Sequence, residues 1–259
     1  MKFPASRRKV ERAVEHIHDL NKFLKTFAES DFYSVSVKEH RGSNCIFLEI
    51  DNSRFDMTHC ALIIGDALHN LKSALDILYY QTFEAVAPGK ADHRTRFPIR
   101  DEREQLIIGI DGGLKEKGLT GDSRVALVVD LLLDIVKPYE AGNYPLWALH
   151  DLNILDKHQL LIPVFDVMRF TDFCFQDDKG NSFVFEKAIF TEESCHHLKL
   201  GRDGNFTTKD KGHAAIAIVF NVGIPYQSQS VIQSLHEIAE GATRTIDAFE
   251  MLPIRSFFE

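Results

Sequence analysis

The sequence is short of the features that most readily disclose a function. Its 259 residues hold four cysteines and one tryptophan. Cys45, Cys60, Cys174 and Cys195 are scattered without a CxxC pair, which excludes a zinc ribbon or a disulfide framework and fits reduced thiols in a cytoplasm. No run approaches the ~18 apolar residues of a membrane span. The opening MKFPASRRKVERAVEHIHDL lacks the apolar stretch and small-residue cleavage site of a secretory signal. There is no GxSxG, phosphate-binding glycine loop, dinucleotide fingerprint or HExxH, so nothing points to an α/β-hydrolase, nucleotidase, dehydrogenase or zincin. Positive charge is short as well: 30 Lys+Arg against 38 Asp+Glu leave a formal charge of -8. That balance argues against broad contact with nucleic acid or anionic lipid. The local exception, Arg7, Arg8, Lys9 and Arg12, reads as a solvated helix end.

What is present is an ordinary globular composition, 44% hydrophobic, with changes of period along the chain. Residues 6 to 29 carry Val10, Ala13, Val14, Ile17, Leu20, Leu24 and Phe27 at helical spacing, with Ser6 as N-cap. A hairpin follows over 33 to 50, turning at Gly42, and then a long helix from Met57 to Val86 stopped by Pro88-Gly89. Residues 87 to 122 hold Pro98 and Gly109, Gly112, Gly113, Gly118 and Gly121, and most of the stretch reads as loop, with a short helix around Glu102 to Ile108. Two helices come next, Ser123 to Val136 and Pro145 to Leu161. Beyond Pro163, FTDFCFQ, SFVFEK, CHHLKL and HAAIAIVFNVG read as four antiparallel strands, and Ser228 to Met251 as a final amphipathic helix.

The expected fold is α+β: a bundle of about five helices with an antiparallel sheet of about four to six strands. Residues 1–259 form one domain in this reading, with the helical core from 1–30, 57–162 and 228–252, the β-rich part at 163–223 and the small hairpin at 33–50. A division near Pro163 into helical and β halves is the alternative.

Two segments carry polar groups on otherwise leucine-rich helices, where burial is costly unless the groups satisfy one another or bind something. In Gly65 to Asp76 and onward, ~100° per residue puts Ile64, Leu68, Leu71, Leu75 and Leu78 on one side. Asp66, His69, Ser73, Asp76 and Tyr80 fall on the other, a stripe without lysine. In Leu149 to Leu161 leucines surround the helix; His150, Asn153 and Lys157 share one side, and Trp147, Asp151 and His158 another.

The phrases GDALHNLKSALDILYYQ and PLWALHDLNILDKHQLL resemble an uncharacterised bacterial protein family in which a GDxLHNLRSALDHL helix precedes an LHxLNxxDKHR helix. The resemblance covers roughly residues 60 to 160 and brings no established activity. More distantly, Asn153 followed by His158 is similar to the pattern of the HEPN superfamily of helical ribonucleases, although asparagine replaces the family arginine. That resemblance implies dimerisation and metal-independent RNA cleavage, with His158 as acid/base, Asn153 positioning a phosphate or the imidazole, Lys157 offsetting phosphate charge and His69 assisting.

The leading expectation is a bacterial, cytoplasmic binding or interaction module with a polar network of Asp66, Ser73, Asp76, Tyr80, His150 and Asp156. The HEPN-like ribonuclease acting through His69, Asn153, Lys157 and His158 is the alternative, and only that reading calls for RNA. A homodimer is a candidate partner; no cofactor, metal or membrane is assigned. A metal-dependent hydrolase is the third option, because Glu15/His18 and Asp66/His69 show the acid-x-x-His spacing of metal-binding bundles.

Overall fold

A computed structural model describes residues 2–40, 42–51, 53–161, 163–185, 197–199 and 204–253. Apolar spacing sets the helices. α1 (Pro4–Ala28) buries Val10, Ala13, Ile17, Leu20, Leu24 and Phe27. It starts at Pro4, whose fixed φ suits a first turn, so Ser6 lies inside the helix rather than capping it. α2 (Met57–Val86) buries the expected face of Ile64, Leu68, Leu71, Leu75 and Leu78. α4 (Ser123–Asp130) is capped by the Asp122 carboxylate, which accepts from Arg124 N–H, and runs into a π-helical turn, Leu131–Val136. α5 (Tyr144–Gln159) carries Pro145 in its first turn, and α6 (Val231–Glu250) is capped by Ser230.

One helix differs from expectation. α3 (Arg103–Lys117) is a full 15 residues, running through Gly109, Gly112 and Gly113 to a left-handed cap at Gly118 (φ 67°). Each glycine costs such a helix about 1 kcal/mol relative to alanine. The cost is met by burial of Leu106 and Ile110, and tertiary packing outweighs propensity.

The α+β class holds, with six α-helices among the described residues. Among the described residues the strands do not join into a single sheet of four to six. They form three smaller antiparallel sheets: β1 (Tyr33–His40), β2 (Ser43–Ile50) and β6 (His197–Lys199) in that order; β3 (Val164–Thr171) with β8 (His213–Val219); and β5 (Ser182–Phe185), β4 (Phe173–Asp177), β7 (Phe206–Asp210) in that order. FTDFCFQ was expected to be one strand, but Asp172 takes a left-handed conformation (φ 61°) and divides it between β3 and β4. Gly212 (φ 67°) faces the same corner, where any Cβ would collide with the Thr171 carbonyl. In the CHHLKL run β6 covers only His197–Lys199; Cys195, His196 and the Glu193/His196 pair lie outside the described residues.

By contacts the chain divides into two compact units. The first comprises Met1–Leu20, Thr58–Ile162 and Phe220–Glu259; the second comprises Asn21–Met57 and Pro163–Val219. The helical unit is closed at its chain ends, where Glu250 accepts hydrogen bonds from Lys2 Nζ (2.8 Å) and Arg7 Nε (3.2 Å) and Arg7 also reaches Asp247 (2.6 Å). The basic start of α1 is thereby answered, since Arg8 and Arg12 pair with Glu11 and Glu15 as well. The β unit is held by an aromatic cluster of Phe27, Phe32, Tyr33 and Phe55, and Tyr33 donates to the Gly212 carbonyl at 2.6 Å. Among the described residues no helix is long and apolar enough to cross a membrane.

Candidate functional site

The two motif-bearing helices meet within the helical unit at a glycine. An ideal Cβ on Gly65 of α2 would sit 2.5 Å from the Asp156 carboxylate of α5, so only the bare backbone admits that side chain. Asp156 in turn accepts from Leu161 N–H (3.5 Å), tying down the end of α5 where Leu160 turns to φ 50°. Asp156 is therefore a packing residue at a helix crossing.

Further along, α2, α3, α5 and the segment 94–100 enclose a cleft of about 500 Å³. Period explains each wall. On α5, His150, Asn153, Ile154 and Lys157 fall within an arc of about 100° at ~100° per residue, and all four line the cleft. On α3 the lining residues are Leu106, Gly109, Ile110, Gly113, Leu114 and Lys117, a stripe at helical spacing on which Gly113 leaves open space and Gly109 admits the Arg100 guanidinium. Segment 94–100 alternates: Thr95, Phe97 and Ile99 are buried, while Arg94, Arg96 and Arg100 are exposed. It is pinned at both ends of the turn: Phe97 N–H donates to Asp76 (2.9 Å), and Asp92 receives Lys117 Nζ (3.0 Å). That bond and the Arg94 amide hold the Asp92 carboxyl down at about 2.

Lys72 is the least expected member. On the helical wheel it stands about 80° from the centre of both the apolar face and the polar stripe of α2, and it is 8% exposed. Its ammonium bonds Asp76 Oδ1 at 2.5 Å. Burial lowers the Lys72 pKa, Asp76 opposes that, and the nearby charges of Arg96 and Lys157 lower it further. His150 is pushed the same way, first by burial and then by Lys72 and Arg100, so at neutral pH it is an uncharged imidazole. Its Nδ1 is buried and has no hydrogen-bond partner.

The cleft is rich in cations that the protein itself leaves unanswered. Lys117 pairs with Asp92, Arg94 with Glu116, and Lys72 with Asp76. Among the described residues no carboxylate lies within ion-pair distance of Arg96, Arg100 or Lys157; Arg100 spends one Nη on the carbonyl of Ile99. Asn153, only 4% exposed, contributes an amide. Tyr79, Phe83 and Phe97 supply an aromatic wall, with Tyr79 and Phe97 edge to face at 6.1 Å; burial raises the Tyr79 hydroxyl to about 12.

The residues singled out from sequence are thus partly assembled. Asp76, His150, Asn153 and Lys157 line the cleft. His69, Ser73 and Tyr80 line a shallower groove that shares Lys72, Asp76, Arg96 and Lys157 with it. His69 is exposed there, 3.5 Å from Ser73 on its own helix. Asp66, Asp156 and His158 line neither. Asn153 and His158, five residues apart on α5, stand about 140° apart around the helix axis. Sequence reading passed over Lys72, Tyr79, Arg96 and Arg100. The alternation in Arg94 to Arg100 and the 3–4 spacing of α3 were the available signals, masked by Pro98 and by glycines that suggest loop. Among the described residues no three His, Cys, Asp or Glu side chains gather as a metal site. No family model, curated protein or solved structure matches the chain.

Proposed function

We propose that this protein is a binding module whose helical unit holds a small anionic ligand in the α2–α3–α5 cleft. The observation that carries the reading is a set of cations, Arg96, Arg100 and Lys157, lining one concave site without carboxylate partners among the described residues, in a chain of net charge -8. Unpaired positive charge in an otherwise acidic protein focuses a local attraction for anions. The partly buried walls weaken competition from water, and guanidinium groups suit planar or tetrahedral oxyanions. The neutral His150 and the buried Asn153 amide add donors and acceptors without adding charge.

Ribonuclease action of the HEPN kind draws no comparable support, because His158 stands off the cleft that contains Asn153 and Lys157. Thermal unfolding at constant ionic strength tests the choice. Inorganic phosphate raises the Tm of the protein, by the equivalent of ~2.7 kcal/mol at a hundredfold excess over Kd. Arg96→Gln combined with Lys157→Gln abolishes the rise, whereas Arg8→Gln with Arg12→Gln leaves it intact. A rise equal in all three proteins refutes the cleft, as does chelator-resistant RNA cleavage that His158→Ala removes.

A further inference from the structure

Resting on the anion-binding reading, we infer that the ligand is a phosphate monoester carried on an aromatic body. The charge is counted from the part of the cleft shared with the groove. Lys72, Arg96 and Lys157 meet there, close enough that the latter two act on the Lys72 ammonium, and Asp76 is the carboxylate that answers them. Asp92, which also lines the groove, is occupied by Lys117. Three positive charges against one negative leave two, so the complement is a dianion. A carboxylate falls one charge short, while a phosphate monoester carries ≈ −1.5 to −2 at pH 7 and three acceptor oxygens. The arginine fork and the lysine point charge are the two usual ways of holding it.

A bare phosphate would leave most of the space unused. Beyond the residues it shares with the groove, the cleft is lined by Tyr79, Phe83, Phe97, Leu106 and Ile110 and by Gly113 of α3, with the Arg100 guanidinium against Gly109. Nothing lies within 4 Å of a Cβ built on Gly113, so that end of the cleft is empty by virtue of the glycine. Aromatic and aliphatic side chains there take a flat apolar group by burial and edge or face contact. The body's polar atoms meet the Asn153 amide and the unpartnered Nδ1 of His150. The phosphate end and the body end are separable, which makes the inference separately testable.

Titration calorimetry of the full chain with phenyl phosphate, inorganic phosphate and phenol provides the test. Phenyl phosphate binds about tenfold tighter than inorganic phosphate, and phenol alone binds much more weakly than either. Lys157→Gln weakens both phosphates. Gly113→Leu fills the body end, improves helix propensity, and brings phenyl phosphate down to the affinity of inorganic phosphate without changing the latter. Equal affinities for the two phosphates in the unaltered protein overturn the aromatic body and leave the anion cleft standing. No binding of either overturns both.

Discussion

Gly65 joins the two helices by what it lacks. Its missing Cβ admits the Asp156 carboxylate between α2 and α5, and the end of α5 is fastened through that same side chain. Gly112 is the contrast: it lies inside α3 with no atom within 4 Å of a built Cβ. Alanine has opposite effects at these two positions. Gly112→Ala raises stability by about 0.5–1 kcal/mol through helix propensity alone. Gly65→Ala collects the same propensity but displaces a short side chain, so its Tm falls, and Asp156→Ala added to it recovers part of the loss. Denaturation of the three variants checks this, and a stabilising Gly65→Ala would show that the crossing is looser than described. None of this was legible in sequence, where Gly65 read as one more residue of a leucine-rich helix and Asp156 as part of a polar network. Lys72 was missed for a related reason: a wheel assigns it to neither face, and its burial depends on α5 and on the segment that brings Phe97 N–H to Asp76.

At the scale of elements, patterns of period were read correctly wherever one partner surface decides them. α2 and α6 bury the faces that spacing assigns, and the β1–β2 hairpin turns at Gly42. α5, leucine-rich all round in sequence, buries one side through Leu146, Leu149, Leu152 and Asn153 and leaves Ile154, Lys157 and His158 exposed. Spacing failed where punctuation residues are absorbed by packing. α3 passes through three glycines, and most of its cleft-facing stripe lies beyond the Glu102 to Ile108 helix that composition suggests. Segment 94–100 has strand-like alternation but, among the described residues, makes only an isolated bridge between Arg100 and Tyr139, and is held besides through Asp76 and Asp92. Asp172 turns the chain within an apolar run, so β3 and β4 belong to separate sheets. One inter-element contact carries a pH dependence. Arg7, then Lys2, hold the Glu250 carboxyl down at about 2, below its ordinary 4.5. A depressed carboxyl binds fewer protons folded than unfolded, so its stabilisation is present above ~4.5 and is lost as pH falls from there towards ~2. Glu250→Gln therefore lowers the Tm at neutral pH, and its difference from the unaltered protein shrinks across that acid window. A pH-independent difference would place the stabilisation in packing of the α1–α6 contact instead.

Across the molecule the notable contrast is between an acidic whole and a cationic cleft. Composition alone argued against polyanions, and that argument concerns broad surfaces; it does not reach a concave site of about 500 Å³ whose positive charges are local. The sequence did mark the helices that form the site and did separate the two sides of α5. It did not mark the third wall, because the arginines of segment 94–100 acquire meaning only when the loop is laid against α2 and α3. His158, the residue most attractive by resemblance, sits on the side of α5 that sequence spacing had already grouped with Trp147 and Asp151. The most direct test is therefore where an anion lands. Nuclear magnetic resonance of labelled protein titrated with phenyl phosphate, whose two ends together fill the cleft, reads this from the Asn153 side-chain amide, the Arg96 and Arg100 Nε–H groups, and the imidazoles of His150 and His158. The account predicts saturable shifts at Asn153, Arg96, Arg100 and His150 with His158 unmoved; shifts centred on His158, or none in the cleft, would contradict it.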